Sequence, residues 1–230
     1  MTPAAALDQL RAAADPERAA GMAAYHKAPR PYLGLRVPVL TALVRDWRRD
    51  MDLSAQVALA DGLWRSNIHE ARIAAAKLLD RKRIVPDDAV WRLIASWVPD
   101  FDAWAIADHA CIAGMKRLLA DPSRLDEVEH WTRAPHMWSR RAALVITLPW
   151  TKDSAPDAMA VRERVLGWAA GYAADPDWFI QKAIGWWLRS LSDADPARVH
   201  AFLAAHGATM KPFARREALR HLQPKARERA

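Results

Sequence analysis

The stretch IQKAIGWWL, residues 180–188, places a polar side chain, Gln181, two positions before an alanine in otherwise apolar surroundings. The same pattern recurs in ARIAAAKLL (71–79), ADHACIA (107–113), SRRAALVITL (139–148) and ARREALRHL (214–222). Its polar positions, spaced by 36, 33, 40 and 35 residues, are Arg72, Asp108, Arg141, Gln181 and Arg216. A period of this length is typical of repeated helix pairs, in which neighbouring pairs must stack to bury their apolar faces.

The composition also favours helices. Only eight glycines occur in 230 residues, and alternating β-branched and aromatic residues are scarce, whereas alanine, leucine and arginine dominate long stretches. A second series accompanies the first, with spacings of 33, 34 and 37 residues between Trp64, Trp97, Trp131 and Trp168. Together the two series predict an all-α fold, a right-handed α-solenoid of HEAT-like helix pairs with about twelve helices. We expect one domain over residues 1–230.

Local signals indicate where helices start. Asn67 followed by Glu70 matches a variant of the capping box, in which each side chain binds a backbone N–H at the helix start. Prolines stand where new apolar-periodic runs begin, at Pro38, Pro86, Pro122, Pro176, Pro196 and Pro212. These signals predict short connections between the helices.

The repeat predicts where polar side chains would meet a ligand. In a solenoid, the second helix of each pair lines the concave surface and presents one polar position per repeat. This interpretation predicts a concave basic groove that carries Arg72, Arg141, Lys182 and Arg216, with Asp108 as its sole acidic residue. The net charge of +7 and the pI of about 9.9 fit a polyanion. GC-rich coding also produces arginine in an alanine-rich chain, so charge alone leaves the partner open.

Several classes of protein are excluded. The single cysteine, Cys111, cannot form an internal disulfide or a multi-cysteine metal site, which favours a reducing compartment. No segment approaches the roughly 18 apolar residues of a membrane span, and no signal-peptide core precedes the first helix. Phosphate-binding loops, dinucleotide-binding loops and the common nucleophile and zinc motifs are missing. We expect a soluble, cytoplasmic protein with no metal and no cofactor.

The stretch FDAWAIADHA, residues 101–110, places a carboxylate in a helix made of small and apolar residues. Trp104 and Asp108 are four residues apart and share one helix face, whereas His109 points in another direction. Two interpretations are open from the residues alone. Trp104 can pack in the core while Asp108 pairs with a neighbouring arginine, or both can face a ligand.

Several stretches together resemble the AlkD-type DNA alkylation repair family, a family of DNA glycosylases built of HEAT-like repeats. They are RPYLGLRVPVL (30–40), LWRSNIHEARIAAAKLL (63–79), FDAWAIADHA, MWSRRAALVITL (137–148) and residues 178–222. The resemblance covers nearly the whole chain, and FIQKAIGW followed by an Asp-Pro helix start is its most specific part. It implies an all-α solenoid that holds duplex DNA on its concave face and excises N3- and N7-alkylated purines.

The resemblance also implies catalytic roles for three residues. Trp104 and Asp108 match the tryptophan and the catalytic aspartate of the family, and Trp186 matches the second aromatic residue of its active site. One position departs from the pattern. Better-known members carry an acidic residue directly after the first tryptophan, where this chain has Ala105.

The resemblance also implies contacts between this chain and the DNA backbone. Arg141 matches an arginine that contacts the backbone near the lesion. Further phosphate contacts are expected from Lys182, Arg189, Arg72 and Arg36. These residues would position the duplex without reading its sequence.

The chemistry that follows needs no general acid. An N3- or N7-alkylated purine is already cationic and leaves without protonation, so positive charge develops on the sugar. A carboxylate would stabilise this oxocarbenium-like sugar and orient the attacking water. We expect a glycosylase of base excision repair. We also expect the protein to be a monomer and to be associated with the nucleoid. A DNA-binding repeat protein without catalytic activity and a protein-interaction scaffold are the alternatives, and base flipping is left open.

Overall fold

The computed structural model describes residues 1–222, in which every regular element is helical. Three short 3₁₀ helices cover Val98–Asp100, Pro122–Arg124 and Leu148–Lys152. The thirteen α-helices of the described residues are α1 (Pro3–Ala12), α2 (Pro16–His26), α3 (Val37–Arg48), α4 (Leu53–Arg65), α5 (His69–Leu79), α6 (Asp88–Trp97), α7 (Trp104–Ala120), α8 (Leu125–Trp131), α9 (Met137–Val145), α10 (Pro156–Gly171), α11 (Trp178–Ser192), α12 (Pro196–His206) and α13 (Pro212–Ala218). The all-α prediction is confirmed.

The chain divides into two compact units, one over residues 1–121 and one that begins at Pro122. In the first unit α3, α5 and α7 pack side by side, while α4 and α6 form a second layer against α5 and α7. In the second unit α9, α11 and α13 pack side by side, with α8, α10 and α12 packed against them. Each unit therefore stacks helix pairs in two layers. The superhelical hand, the concave groove and the single domain stay predictions.

The alanine of each repeat is a core position. Ala74, Ala110, Ala143, Ala183 and Ala218 are all buried. Within the second unit, α11 and α13 approach closely at Gly185, where a β-carbon would lie 2.9 Å from the carbonyl oxygen of Ala214. The missing side chain of Gly185 lets these two helices pack backbone to backbone.

Three of the five polar positions of the repeat, Arg72, Arg141 and Gln181, lie inside the protein. The Arg72 side chain is buried, with Nε donating to the carbonyl of Trp64 at 3.2 Å and Nη1 to that of Asp100 at 3.3 Å. The Nε2 of Gln181, also buried, donates to the carbonyls of Tyr172, Ala173 and Asp175 at 3.3, 2.9 and 3.0 Å. The last carbonyls of a helix have no partner within it, and these side chains bind them. The expectation that Arg72 faces a ligand is therefore wrong.

Glu70 is a buried cap for a distant loop. Its carboxylate accepts hydrogen bonds from the backbone N–H groups of Leu33, Gly34 and Leu35 at 2.9, 2.7 and 3.3 Å. Gly34 has φ +79°, and a β-carbon there would collide with the Asp15 carbonyl. The capping box predicted for Asn67 and Glu70 is wrong, because α5 begins without a side-chain cap and Glu70 binds a loop 35 to 37 residues away.

Three rings hold the same loop against the start of α5. The His69 ring lies 4.5 Å from that of His26 and 4.8 Å from that of Tyr32, centroid to centroid. Burial lowers the pKa of His69 to about 3, and the nearby charges of His26, Arg30 and His109 act in the same direction. Burial also lowers the pKa of His26, opposed by Glu70. Both imidazoles are therefore neutral near pH 7.

We expect Glu70→Gln to lower the free energy of unfolding by about 2 kcal/mol, because a charge-assisted cap is lost and a buried N–H is left without an acceptor. Urea denaturation at neutral pH measures the change. The exposed Glu17 provides the control, since Glu17→Gln should change stability by less than about 1 kcal/mol. Equal effects of the two substitutions would contradict the capping role.

His69 should make stability depend on pH. The unfolded chain binds a proton at His69 below its ordinary pKa of 6.5, whereas the folded protein does so only near pH 3. The contribution is complete above pH 6.5 and is lost as the pH falls, by up to about 1.4 kcal/mol per pH unit. Between pH 7.5 and 5.0, wild type should lose roughly 2 kcal/mol more than His69→Phe.

Urea denaturation of both proteins at the two pH values gives this difference. The exposed His200, in α12, supplies the control, since His200→Phe should keep the pH dependence of wild type. Parallel pH profiles for wild type and His69→Phe would show that the His69 imidazole is not held neutral by the fold.

Candidate nucleic-acid interface

The first turns of α7 carry the tryptophan and carboxylate singled out in the sequence. Trp104 is the first residue of α7 and is 37% exposed, and Asp108 follows one turn later and is half-buried. The side chains between them, Ala105, Ile106 and Ala107, are buried. The polar and aromatic residues thus share the one face of this turn that is open to solvent. The alternative that Trp104 packs in the core is wrong.

Trp104 belongs to an exposed aromatic edge. Its ring stands perpendicular to that of Tyr25, 6.3 Å away, and lies 5.5 Å from the His26 ring. Tyr25, in the last turn of α2, is 69% exposed. The sequence analysis missed Tyr25, although an aromatic residue near the end of an alanine-rich helix gave a weak signal. Tyr25 and Trp104 together offer two rings to a ligand.

A second carboxylate lies just before α7. Asp102 forms an ion pair with Arg30, whose side chain is almost fully buried. Arg30 belongs to the loop that Glu70 and His69 hold in place, so this ion pair links the loop to the start of α7. The charge of Asp102 is therefore offset by Arg30 within the first unit.

In the second unit α11 presents a cation over an aromatic ring. The Lys182 ammonium lies 4.7 Å from the centroid of the Trp178 ring, which stacks on Phe213 at 5.5 Å. Trp178 is 48% exposed, and the sequence analysis missed it. These residues line an open cavity of about 650 Å³, together with Arg189, Arg216, Glu217 and Arg220.

The other predicted residues of the second unit differ in exposure. Arg189 is half-buried and forms an ion pair with Glu217, while Arg216 is exposed. Trp186 is half-buried. Its neighbour Trp187 is fully buried, with Nε1 donating to Thr147 Oγ1 at 3.2 Å, so these two rings face different surroundings.

Two predicted phosphate ligands lie inside the protein. Arg72 is buried on the carbonyls of Trp64 and Asp100, with its guanidinium 4.7 Å from the Trp64 ring. Arg141 is 2% exposed, and its Nη1 donates to the carbonyl of Phe179 at 3.2 Å. Arg36, by contrast, is exposed at the start of α3. Of these three, only Arg36 has the accessibility that a phosphate contact requires.

Two features are absent from residues 1–222, a helix that could cross a membrane and a group of side chains that could hold a metal ion. No helix there is both long and apolar enough to cross a membrane. The same residues contain no group of three or more histidine, cysteine, aspartate or glutamate side chains arranged to hold a metal ion.

Comparisons with known proteins place the chain in a family. The family model described as "DNA alkylation repair enzyme" matches residues 6–222. A solved structure of a predicted DNA alkylation repair enzyme from Enterococcus faecalis is similar, with a TM-score of 0.74 and 21% identity, over 94% of this chain and 98% of that one. No curated protein matches the sequence.

Two further structures from Streptococcus mutans share the fold. The protein smu.31 of strain UA159 has a TM-score of 0.61 and 17% identity, over 79% of this chain and 90% of that one. AlkD2 has a TM-score of 0.60 and 16% identity, over 80% of this chain and 89% of that one. Since the family model covers nearly all of the sequence, the chain belongs to the DNA alkylation repair enzyme family.

Proposed function

We propose that this protein is a DNA glycosylase that excises N3- and N7-alkylated purines from duplex DNA. The observation that carries the proposal is the pairing of Asp108 with the exposed ring of Trp104 on one face of α7, beside core residues. A carboxylate and an electron-rich ring on an accessible face suit a cationic substrate. Family membership supports a role in the repair of alkylated DNA.

The reaction breaks the bond between C1′ of the sugar and N9 of the purine. The bonding electron pair leaves with the base, which neutralises the positive charge that alkylation placed on the ring. Positive charge then develops on the sugar, and the Asp108 carboxylate stabilises it. Water attacks C1′ and its proton passes to the carboxylate or to solvent. At about 4 Å and an effective dielectric of about 20, one such charge pair contributes roughly 4 kcal/mol.

The aromatic rings hold the cationic nucleotide. The face of Trp104 attracts a positive centre by on the order of 1 to 2 kcal/mol when water is excluded. Tyr25, perpendicular to Trp104, adds a second ring at the same edge. Trp186, which matches the second aromatic residue of the family's site, is proposed to contact the nucleotide as well.

Exposed cations bind the DNA backbone. Lys182 and Arg216 line the basic cavity of the second unit, with Arg189 beside Glu217, and Arg36 stands exposed in the first unit. Trp178 and Phe213 give this cavity apolar surface against which a sugar or base can pack. Arg72 and Arg141 support the interface from inside, through the backbone carbonyls that they bind.

Ala105 bears on the main alternative, a DNA-binding protein without catalysis. Its side chain is buried in the core of the first unit. An acidic residue is therefore missing from the interior side of the α7 start, and the face that carries Trp104 and Asp108 is not altered. The alanine at this position therefore gives no argument for the inactive alternative.

Asp108→Asn should lower the release of 7-methylguanine or 3-methyladenine by about a hundredfold or more, because the carboxylate that stabilises the sugar is lost. Single-turnover assays on methylated duplex DNA measure this, and affinity for the duplex should stay within about threefold. Asp8→Asn, at an exposed position in α1, is the control with unchanged activity. Full activity in Asp108→Asn would remove Asp108 from the mechanism, and no release by wild type would favour the inactive DNA binder.

The double variant Lys182→Gln/Arg216→Gln should weaken binding to damaged and undamaged duplex alike, since both cations meet phosphates. The slope of log affinity against log salt should shrink by about 2, roughly 0.9 for each cation. Fluorescence anisotropy over a salt series measures it. The double variant Arg65→Gln/Arg133→Gln removes two exposed cations elsewhere and should leave the slope unchanged. A loss restricted to damaged DNA would contradict a phosphate role.

A further inference from the structure

A second basic cavity lies in the first unit, at the C-terminal ends of α3 and α5. Its volume is about 940 Å³. Three arginines come from the last turn of α3 and its end, and three cations follow α5 in direct succession. These six residues are Arg45, Arg48, Arg49, Arg81, Lys82 and Arg83. The sequence analysis assigned none of them a role.

Few acidic groups offset this charge. Asp46 lies 3.1 Å from Arg49 and 3.7 Å from Arg45. Asp80, which lines the cavity, forms an ion pair with Lys116. When Lys116 and the acidic Asp46, Asp50, Asp52 and Asp80 are counted with the six cations, seven positive and four negative charges leave an excess of three positive charges. The cavity is therefore basic.

The fold holds the three successive cations in place through Arg117. The Arg117 side chain is fully buried, and its Nη2 donates to the carbonyls of Arg81 and Lys82 at 2.6 and 3.0 Å. Its Nη1 donates to the carbonyl of Ile84 at 3.1 Å and to Asp87 at 3.0 Å. The side chains of these three residues are exposed, and an anion that binds beside them lowers the repulsion between their like charges. The fixed backbone thus presents three cations to a ligand with several negative charges.

The cavity lies a definite distance from Asp108. At one end of the α5 and α7 pair, His69 and Trp104 both contact the ring of His26. At the other end, Lys116 and Arg117 of α7 reach the segment that follows α5. The two helices therefore run parallel, and the eight residues from Asp108 to Lys116 span about 12 Å. Along a duplex that follows α7, this length would span between about three and four base-pair steps.

We propose that this cavity binds backbone phosphates of the same duplex, about four base pairs or more from the alkylated nucleotide. The inference rests on the proposed function for its substrate and concerns a separate set of residues. Guanidinium groups bind phosphate oxygens in pairs of parallel hydrogen bonds, and they do so without reading the sequence. The site lengthens the footprint on DNA and leaves the chemistry at Asp108 unchanged.

The test is the triple variant Arg81→Gln/Lys82→Gln/Arg83→Gln. Arg117 binds the backbone carbonyls of this segment, which the substitutions keep, so thermal unfolding should match that of the parent. Both proteins carry Asp108→Asn to prevent excision. Binding is measured by anisotropy to two duplexes with a central 7-methylguanine, one of about 7 base pairs, with three on each side of the lesion, and one of about 25 base pairs.

The variant should bind the long duplex about tenfold or more weakly at 0.1 M salt, with a salt slope smaller by about 2 to 3. The short duplex ends before the cavity, so its affinity should change by less than about twofold. The control triple variant Arg11→Gln/Arg65→Gln/Arg133→Gln removes three exposed cations elsewhere and should bind both duplexes like the parent.

Three outcomes would overturn the proposal. The first is an unchanged affinity of the triple variant for the long duplex, and the second is an equal loss of affinity for both duplexes. The third uses a polyglutamate peptide as a further ligand: a loss of affinity for this peptide alone would indicate an acidic protein partner. Because the readout is binding, it is separate from base release. A wild-type protein that releases no base but shows the length-dependent loss would refute the glycosylase and keep this site.

Discussion

The stacked helices depend on side chains that bind the carbonyl groups at buried helix ends. Arg72 donates both to Trp64, in the last turn of α4, and to Asp100, just after α6. It therefore serves the first helix of its own pair and that of the next pair. An aspartate could not do this, since a carboxylate only accepts hydrogen bonds. Because Arg72 already binds the Asp100 carbonyl, that helix end does not depend on a donor at position 108.

The net positive charge of the chain includes arginines that are buried and bind backbone carbonyls. Arg72, Arg117, Arg141 and Arg162 are all buried, and each binds backbone carbonyls. These four of the chain's 26 arginines serve the fold and give no information about a polyanion. Some of the accessible cations are scattered, such as Arg11, Arg65 and Arg133, whereas others line the two cavities, at Lys182 and Arg216 in the second unit and at Arg81–Arg83 in the first. The lined cavities, more than the total charge, support the proposal of nucleic-acid binding.

The sequence was sufficient for features set by local periodicity. It predicted an all-helical fold, the recurring helix pairs, and the shared face of Trp104 and Asp108. It failed where a side chain bonds across the fold. Glu70 matched a local cap but binds a loop more than thirty residues away, and Arg72 matched a surface position but lies inside. The spacing of residues along the sequence specifies which face of a helix they share. The backbone carbonyl or N–H that a long side chain binds depends instead on tertiary packing, which decides which helix ends lie nearby.

The proposed chemistry explains why the cations that bind phosphate should lie away from the Asp108 carboxylate. Cations beside Asp108 would oppose the positive charge that develops on the sugar, yet DNA binding needs cations. Screening in salt reduces interactions beyond about 8 Å, and the Arg81–Arg83 cavity lies about 12 Å along α7 from Asp108. At that distance its arginines can hold phosphates while contributing little to the potential at the sugar. Nearer to Trp104, the ion pair of Arg30 with Asp102 leaves no net charge of its own. In this proposal the Arg81–Arg83 cavity holds DNA without placing its cations beside the candidate catalytic carboxylate.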